Sequence, residues 1–518
     1  MSRRIGIASL IWGTSILLSR VIGLVREAAI GRVLGVGGSA DVYFVAFVLP
    51  DFLNYLLAGG ALSLVFIPIF GEHLARGDAE RGWHAFSEIA NFLIAVLAVV
   101  LPILWIATPY LARQVAPTFD AEQQALLVAL TRIMLPAQVF HLVGGLLSAT
   151  LQARDEHALP ALAPLVYNAG IVLGGIAGGH ALGAYGFAWG VLVGSILGPF
   201  ALPLAGCLRS GLRWRWTLNL RDRDLRTYLW RSLPIMLGWS IVVVDDWILK
   251  IQGARIGAGV VSTLQYGKAL TKVPMGVFGL ATGVAAFPTL TRLAAEGRRS
   301  EAYATLATAV RRMLVLALAA QVVFTCAGPE IARVIYGGRI SAGQHAEIGT
   351  ALAIFSISLW AWAAHTVVAR GFYAIGNTWY PTLLGTALVP LAFPLYVLLR
   401  ARFGAVGLAS ASSIAITAYV LALMVALRKR YPGGVDRYLG FFARMVPAVA
   451  GSIGAGWLAR AQLAPHLTAL PALGRGIVYG GAGLVVYALL LQVLRVDDAT
   501  QILATLRRRL ARRASRLG

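Results

Sequence analysis

At the usual size of a soluble domain, 518 residues would make three or four of them, but 58% of this chain is hydrophobic, only 13% is charged, and the mean hydropathy is +0.75. Soluble domains carry roughly 25% charged residues, so most of the outer surface here does not face water. The formal charge of +23 then points to arginine-loaded cytoplasmic loops rather than to nucleic acid, and two cysteines, Cys207 and Cys326, leave no disulfide framework or cysteine-based metal site.

A span needs about 20 apolar residues. Fourteen are predicted, at 6–34, 41–71, 85–112, 122–151, 159–179, 184–207, 229–252, 258–291, 309–328, 347–369, 379–399, 404–427, 438–459 and 474–494. The start, Met1-Ser-Arg-Arg, leads into an apolar stretch without a small-residue cleavage site and reads as an uncleaved first span. With the N-terminus inside, the inner loops hold Arg76, Arg81, Arg154, the run from Arg209 through Arg226, Arg292, Arg298, Arg299, Arg370 and Arg428 to Arg430, whereas the outer loops hold scattered residues such as Arg113, Arg255 and Arg339. That asymmetry predicts both termini in the cytoplasm. The basic tail, 497–518, reads as an amphipathic helix on anionic headgroups. No nucleic-acid-binding motif accompanies it.

A repeat at an offset near 220 organises the spans. Pro109-Tyr-Leu-Ala-Arg113 recurs as Pro329-Glu-Ile-Ala-Arg333, Pro68 with Gly77 as Pro288 with Gly297, Ala153 with Pro160 as Ala374 with Pro381, and Gly183-Ala-Tyr-Gly186 as Gly404-Ala-Val-Gly407. Six spans per unit give both units the same membrane orientation. The predicted fold is therefore all-α and polytopic, with two parallel six-helix lobes related by a pseudo-two-fold axis, a transporter architecture that holds substrate between rocking halves. The predicted boundaries are an N-terminal lobe 1–210, a basic cytoplasmic linker 211–228, a C-terminal lobe 229–430, and two added helices in 431–496 before the tail. A duplicated assembly scaffold is the non-transporting alternative.

Ionisable groups inside spans are costly, about 2.5–3.5 kcal/mol each on insertion scales, and mark function by default. Arg20 and Arg26 lie in span 1, six residues and therefore about 9 Å apart along the axis. Forked guanidiniums suit phosphate oxygens. Glu27, seven residues after Arg20, shares its face and offers it a partner, so a self-neutralised structural pair is the other reading. Asp41 and Asp51 flank span 2; Asp41 is equally a helix cap, and Asp51 is the better candidate for a cavity. At the repeat offset Arg26 becomes Asp246 and Arg20 becomes Ser240. Asp245 and Asp246 sit in an otherwise apolar span, with Lys250 close behind and Lys268 and Lys272 one turn apart on the next. These carboxylates either pair with the lysines or bind a coupling cation or proton. His141 and His365 stand alone, and none of the eight histidines has metal-site spacing. No phosphate-binding loop or nucleophile motif appears, so no enzyme, metal or cofactor is expected, and transport would draw on a membrane potential or an ion gradient.

Ser19-Arg-Val-Ile-Gly-Leu-Val-Arg26-Glu27, Gly35, Ala40-Asp-Val-Tyr-Phe-Val-Ala-Phe47 and Leu49-Pro50 resemble the opening of the MurJ (MviN) family, lipid II flippases within the wider group of multidrug and oligosaccharidyl-lipid exporters. The likeness continues through Leu151-Gln-Ala-Arg-Asp155, Leu159 to Pro164, Tyr266, Pro274, and Phe372-Tyr-Ala-Ile-Gly-Asn377 with Pro381. The resemblance implies movement of an undecaprenyl-pyrophosphate-linked saccharide from the inner to the outer leaflet of the bacterial inner membrane. It implies that Arg20 and Arg26 hold the pyrophosphate, that Asp41 is a functional carboxylate, and that the two added helices line a groove for the lipid tail beside a lateral gate. Two departures stand out. Where the family carries an Arg-Arg pair and then a Glu in span 2, this chain has Asn54-Tyr55 and Gly59, and where the family has Asp-Arg-Leu in span 8 it has Lys268-Ala269-Leu270. The expected substrate contacts are thus Arg20, Arg26, Asp41, Asp51, Asn54, Lys268 and Lys272, and the ion-coupling candidates are Asp245, Asp246 and Asn377. Lipid II is the favoured cargo. Another polyprenyl-linked glycan, for a capsule or exopolysaccharide, fits the same residues; a cation-coupled multidrug exporter is the further alternative, against which Arg20, Arg26 and the two extra helices speak.

Overall fold

The computed structural model describes residues 2–58, 62–236, 238–431 and 438–501. The tail arginines and Gly59 lie outside the described residues. All described regular structure is helical: α1 (Ser2–Leu34), α2 (Gly38–Ala46), α3 (Val48–Ala58), α4 (Ile67–Ala75), α5 (Ala79–Val115), α6 (Ala121–Met134), α7 (Ala137–Ala153), α8 (Ala158–Leu182), α9 (Ala184–Ser195), α10 (Leu202–Arg209), α11 (Arg223–Met236), α12 (Ile241–Gly253), α13 (Val260–Pro274), α14 (Ala281–Ala295), α15 (Arg299–Tyr336), α16 (Ala342–Ile357), α17 (Leu359–Ala374), α18 (Trp379–Arg430), α19 (Tyr438–Leu463) and α20 (Ala472–Val493). Among the described residues eleven helical stretches are long and apolar enough to cross a membrane. The longest, Trp379–Arg430, holds two of the expected spans, broken at Gly404. The chain is a polytopic all-α membrane protein.

One predicted span is corrected. Residues 229–252 do not form a single helix, because the backbone leaves helical geometry at 238–240 between α11 and α12. Gly238 does not enforce helix, and its carbonyl accepts the Tyr55 hydroxyl at 2.6 Å.

Two compact units emerge. One runs through Trp239 and includes Asp246–Ser262; the other comprises Ser240–Asp245 and the described residues from Thr263 on. Each carries the same local backbone devices at the repeat offset. Gly183 (φ 49°) and Gly404 (φ 57°) reverse the chain between two apolar helices, a left-handed conformation that a side chain disfavours. Asp155 and Gly376, both at positive φ, close the turns after α7 and α17. Asp120 with Gln123 and Ser341 with Gln344 form reciprocal capping boxes at the starts of α6 and α16. In the first unit α8 and α9 approach so closely that a Cβ on Gly174 would lie 2.6 Å from the Gly186 carbonyl, the small-residue packing that substitutes for a hydrophobic drive inside lipid.

Candidate functional site

In the first unit the polar constellation begins on α1, packed against α8. Arg26 donates from Nη1 to Asn168 Oδ1 at 3.0 Å and from Nη2 to Glu27 Oε1 at 2.6 Å. Asn168 is itself oriented: its Nδ2 donates to the Pro164 carbonyl at 2.7 Å, which turns the amide oxygen toward the guanidinium. Two of five guanidinium N–H donors are therefore used, and the side chain keeps 27% of its surface exposed. Glu27 pairs with the adjacent Arg26 rather than with Arg20, its expected partner, because the long Arg26 side chain folds back onto its neighbour. The second Glu27 oxygen is buried without a partner among the described residues. Arg20 is part-exposed and joins no described side chain by a hydrogen bond or ion pair. One arginine is fixed, the other open.

Asp41 stands apart. It is fully buried, and its two oxygens accept the backbone N–H groups of Gly259 and Ser262, the latter at 2.7 Å. Those donors lie at the start of α13, so Asp41 caps a helix other than its own and compensates its N-terminal dipole. Asp51 belongs to a second cluster. Lys250 Nζ lies 2.9 Å from Asp246 Oδ2 and 3.4 Å from Asp51 Oδ2, one buried ammonium shared by two carboxylates. The side chains of Asp246 and Asp51 are 29% and 44% exposed, against 7% for Lys250. Asn54 donates to Gln138 Oε1 at 3.0 Å. Phe52 stacks edge-on against Trp239, and both Phe52 and Tyr55 meet Trp247, an aromatic wall beside the carboxylates.

The second unit closes its charges. Lys268 Nζ sits 2.7 Å from Asp245 Oδ2, and the Tyr396 hydroxyl donates to Asp245 Oδ1. All three residues are buried, and Lys268 also lies 5.8 Å from the Trp362 ring. Lys272 is half-buried one turn further along α13. Asn377 accepts the Tyr380 N–H at 3.1 Å and so caps the start of α18. His141 meets Ser195 Oγ at 2.9 Å, and His365 packs against the Tyr419 ring; among the described residues no three metal-ligating side chains gather.

Sequence reasoning thus found the charges and missed their neutral holders, Asn168, Gln138 and Tyr396. Asn168, four residues after Pro164 in an apolar span, was the one with a readable signal.

A family model described as "Lipid II flippase MurJ" matches residues 30–470. The chain belongs to the MurJ family of lipid II flippases. Among MurJ relatives it is 29% identical to the "Lipid II flippase MurJ" of Burkholderia cenocepacia, covering 83% of this chain and 86% of that one. It is 28% identical to the "Probable lipid II flippase MurJ" of Rhizobium tropici, covering 81% and 80%. A solved structure described as "Lipid II flippase MurJ, inward closed conformation" superposes with a TM-score of 0.77 at 20% identity, over 94% of this chain and 99% of that one. An inward-facing multidrug MATE transporter shares the fold at a TM-score of 0.68 and 13% identity, over 81% of this chain and 98% of that one. The MurJ family is a family of transporters, not of catalysts.

Proposed function

We propose that this chain moves lipid II, the undecaprenyl-pyrophosphate-linked peptidoglycan precursor, from the inner to the outer leaflet of the bacterial cytoplasmic membrane, both of its termini lying in the cytoplasm. The single observation that carries the reading is the Arg26 guanidinium, held by Glu27 and Asn168 with three N–H donors to spare and with Arg20 open two turns earlier. A pyrophosphate accepts several such bonds, and charge-assisted ones are about twice as strong as neutral ones. Alternating access would present this pair of arginines to one leaflet and then the other. The driving force is a membrane potential or ion gradient, and the partly exposed carboxylates of the Asp51–Lys250–Asp246 cluster are its candidate sensor.

The test is rescue of cells depleted of their own lipid II flippase, with flipping of lipid II into proteoliposomes as the direct readout. Rescue and flipping are expected. A well-expressed, inserted protein that rescues nothing would shift the cargo to another polyprenyl-linked glycan, the reading favoured by neutral Asn54 and Tyr55 where the family's pattern places arginines, Asn54 being held by Gln138.

A further inference from the structure

A second ligand site lies in the second unit, away from every group discussed so far. α15 and α20 leave between them a cavity of about 440 Å³, within the size range of small-molecule sites. Val323, Ala327, Ile331 and Val334 line one wall and Gly476, Ile477 and Leu484 the other. Ile477 is 64% exposed, so the groove opens sideways, toward lipid. Its one charged lining residue is Glu330, whose side chain is only 9% exposed. Glu330 Oε1 accepts from Arg460 Nη2 at 2.6 Å, whereas Oε2 is buried without a hydrogen-bond partner among the described residues. Arg460, 34% exposed, lies 5.4 Å from the Tyr479 ring and keeps N–H donors beyond those on Glu330 and the Cys326 carbonyl. The pair sits where α15 nears its end at Tyr336 and α20 begins at Ala472, the headgroup end of both spans.

We propose that this groove is a resident site for a zwitterionic phospholipid with a primary ammonium, such as phosphatidylethanolamine. The ammonium donates to Glu330 Oε2, the phosphate accepts from Arg460, and one acyl chain runs along the apolar walls toward Leu484. A buried carboxylate oxygen left unmatched is costly, and of the common lipid headgroups the primary ammonium supplies both charge and N–H donors. Polyprenyl pyrophosphate, the tail-bearing end of the proposed cargo, has neither; it would set an anion beside Glu330. α20 and the helix of Arg460 are the two added helices on which the family resemblance places a lipid-tail groove, so headgroup chemistry, not location, separates the two occupants.

The glycines supply a variant that spares the packing. A Cβ on Gly476 would approach Glu330 Cβ to 3.2 Å and one on Gly480 would approach Val323 to 3.3 Å, whereas a Cβ on Gly481 meets nothing within 4 Å. Gly481→Leu therefore grows into free space in the groove. The full chain is incubated with equal amounts of phosphatidylethanolamine, phosphatidylcholine and phosphatidylglycerol, and retained lipid is counted by native mass spectrometry. The wild type should retain the ethanolamine lipid about tenfold or more over both others, the worth of one charge-assisted hydrogen bond. Gly481→Leu should lose the bound lipid, and Glu330→Gln should bring ethanolamine and choline lipids level. Equal retention of the ethanolamine and choline lipids by the wild type, or undiminished retention by Gly481→Leu, overturns the proposal even if Glu330→Gln proves unstable. Displacement of the phospholipid by undecaprenyl pyrophosphate would also overturn it, assigning the groove to the cargo.

Discussion

The two units share a backbone plan and differ in how they treat charge. Their turns, capping boxes and helix breaks recur at an offset of about 220 residues, down to the positive φ of Gly77 and Gly297. Yet the first unit leaves part of its ionic groups open: Arg26 is 27% exposed and Asp51 44%, although Asp41 and Lys250 are buried. The second seals Asp245 between Lys268 and Tyr396, with at most 8% of either ion-pair side chain exposed. Backbone devices are needed wherever the chain must turn, so a duplicated plan retains them. Charges in a span are costly and persist singly only where they are used. On the function proposed above, cargo contact falls to the first unit, and the sealed Asp245–Lys268 pair of the second serves stability.

The largest expected effect tests the open side. Arg26→Ala removes a held guanidinium and leaves Glu27 buried with neither oxygen satisfied. Lipid II flipping should fall by about 100-fold or more, the worth of roughly 3 kcal/mol of charge-assisted bonding, while insertion and expression persist. Arg26→Lys should recover only part, since an ammonium cannot reach Asn168 and Glu27 as a fork. Normal complementation by Arg26→Ala would end the phosphate-site reading.

The closed side should answer in stability rather than in cargo. Lys268→Met leaves the buried Asp245 carboxylate without its counter-ion, held only by the Tyr396 hydroxyl, and removing one partner of a buried pair costs roughly 3–5 kcal/mol. The double variant Lys268→Met with Asp245→Asn restores neutrality and should regain most of that loss, as read by thermal unfolding in detergent. A single variant of undiminished stability that no longer flips would move the Asp245 cluster into the transport machinery and erase the contrast.

A smaller effect is expected at Asp246→Asn. It removes one carboxylate charge from the Asp51–Lys250–Asp246 cluster, so dependence of flipping on membrane potential or a cation gradient should weaken. One charge crossing the whole field is worth about 2.3 kcal/mol per 100 mV, and a partial crossing is worth proportionally less. Flipping by Asp246→Asn with an unaltered dependence reduces that residue to a salt-bridge partner of Lys250.

What the sequence made legible follows from the same physics. Spans, turns and charges are local: apolar runs, glycines at reversals and ionisable residues in lipid are visible one helix at a time. Even the repeat could be read, because Gly183 and Gly404 mark sharp reversals. Partners are not local. Asp41 lies in the first turn of α2, where a cap for its own helix was the natural alternative, but its carboxylate satisfies the start of α13. Helical spacing matches Glu27 to Arg20, but the long Arg26 side chain folds back onto Glu27 instead. Tyr396, far from Asp245 in sequence, offered only one hydroxyl among many. The break at 238–240 has no local mark beyond Gly238, and the hydroxyl that bonds there comes from α3.

The mildest test compares two corresponding helix starts outside the apolar part of the spans. In the first unit Asp78 caps α5 by accepting the Arg81 N–H, and the Arg81 guanidinium grips Asp222 at 2.7 Å and Asp224 at 2.9 Å, which fastens the segment after α10 onto α5. Trp214 and the Asn91 amide complete that seam. At the repeat offset the cap Asp78 becomes Arg298 and Arg81 becomes Glu301; Arg298 binds Glu296 and Glu301, with all three side chains between 39% and 58% exposed, and such surface pairs contribute little. Arg81→Ala should therefore lower the unfolding temperature and expose the segment to protease, whereas Arg298→Ala should leave both within error. The first seam also has a pH signature. Although burial pushes the Asp222 carboxyl up, hydrogen bonds from the Leu225 N–H and from Arg81 outweigh it and hold the folded pKa below the usual carboxylate value. Its stabilisation is complete above about pH 4 and is lost as the pH falls through the folded pKa. Protease sensitivity of residues 211–222 should rise on acidification below about pH 4 in the wild type and be high already at neutral pH in Arg81→Ala. Equal protection of the two proteins across that range would show that the apolar packing of Leu212 and Trp214 on the first unit's core, not the ionic grip, fastens the segment.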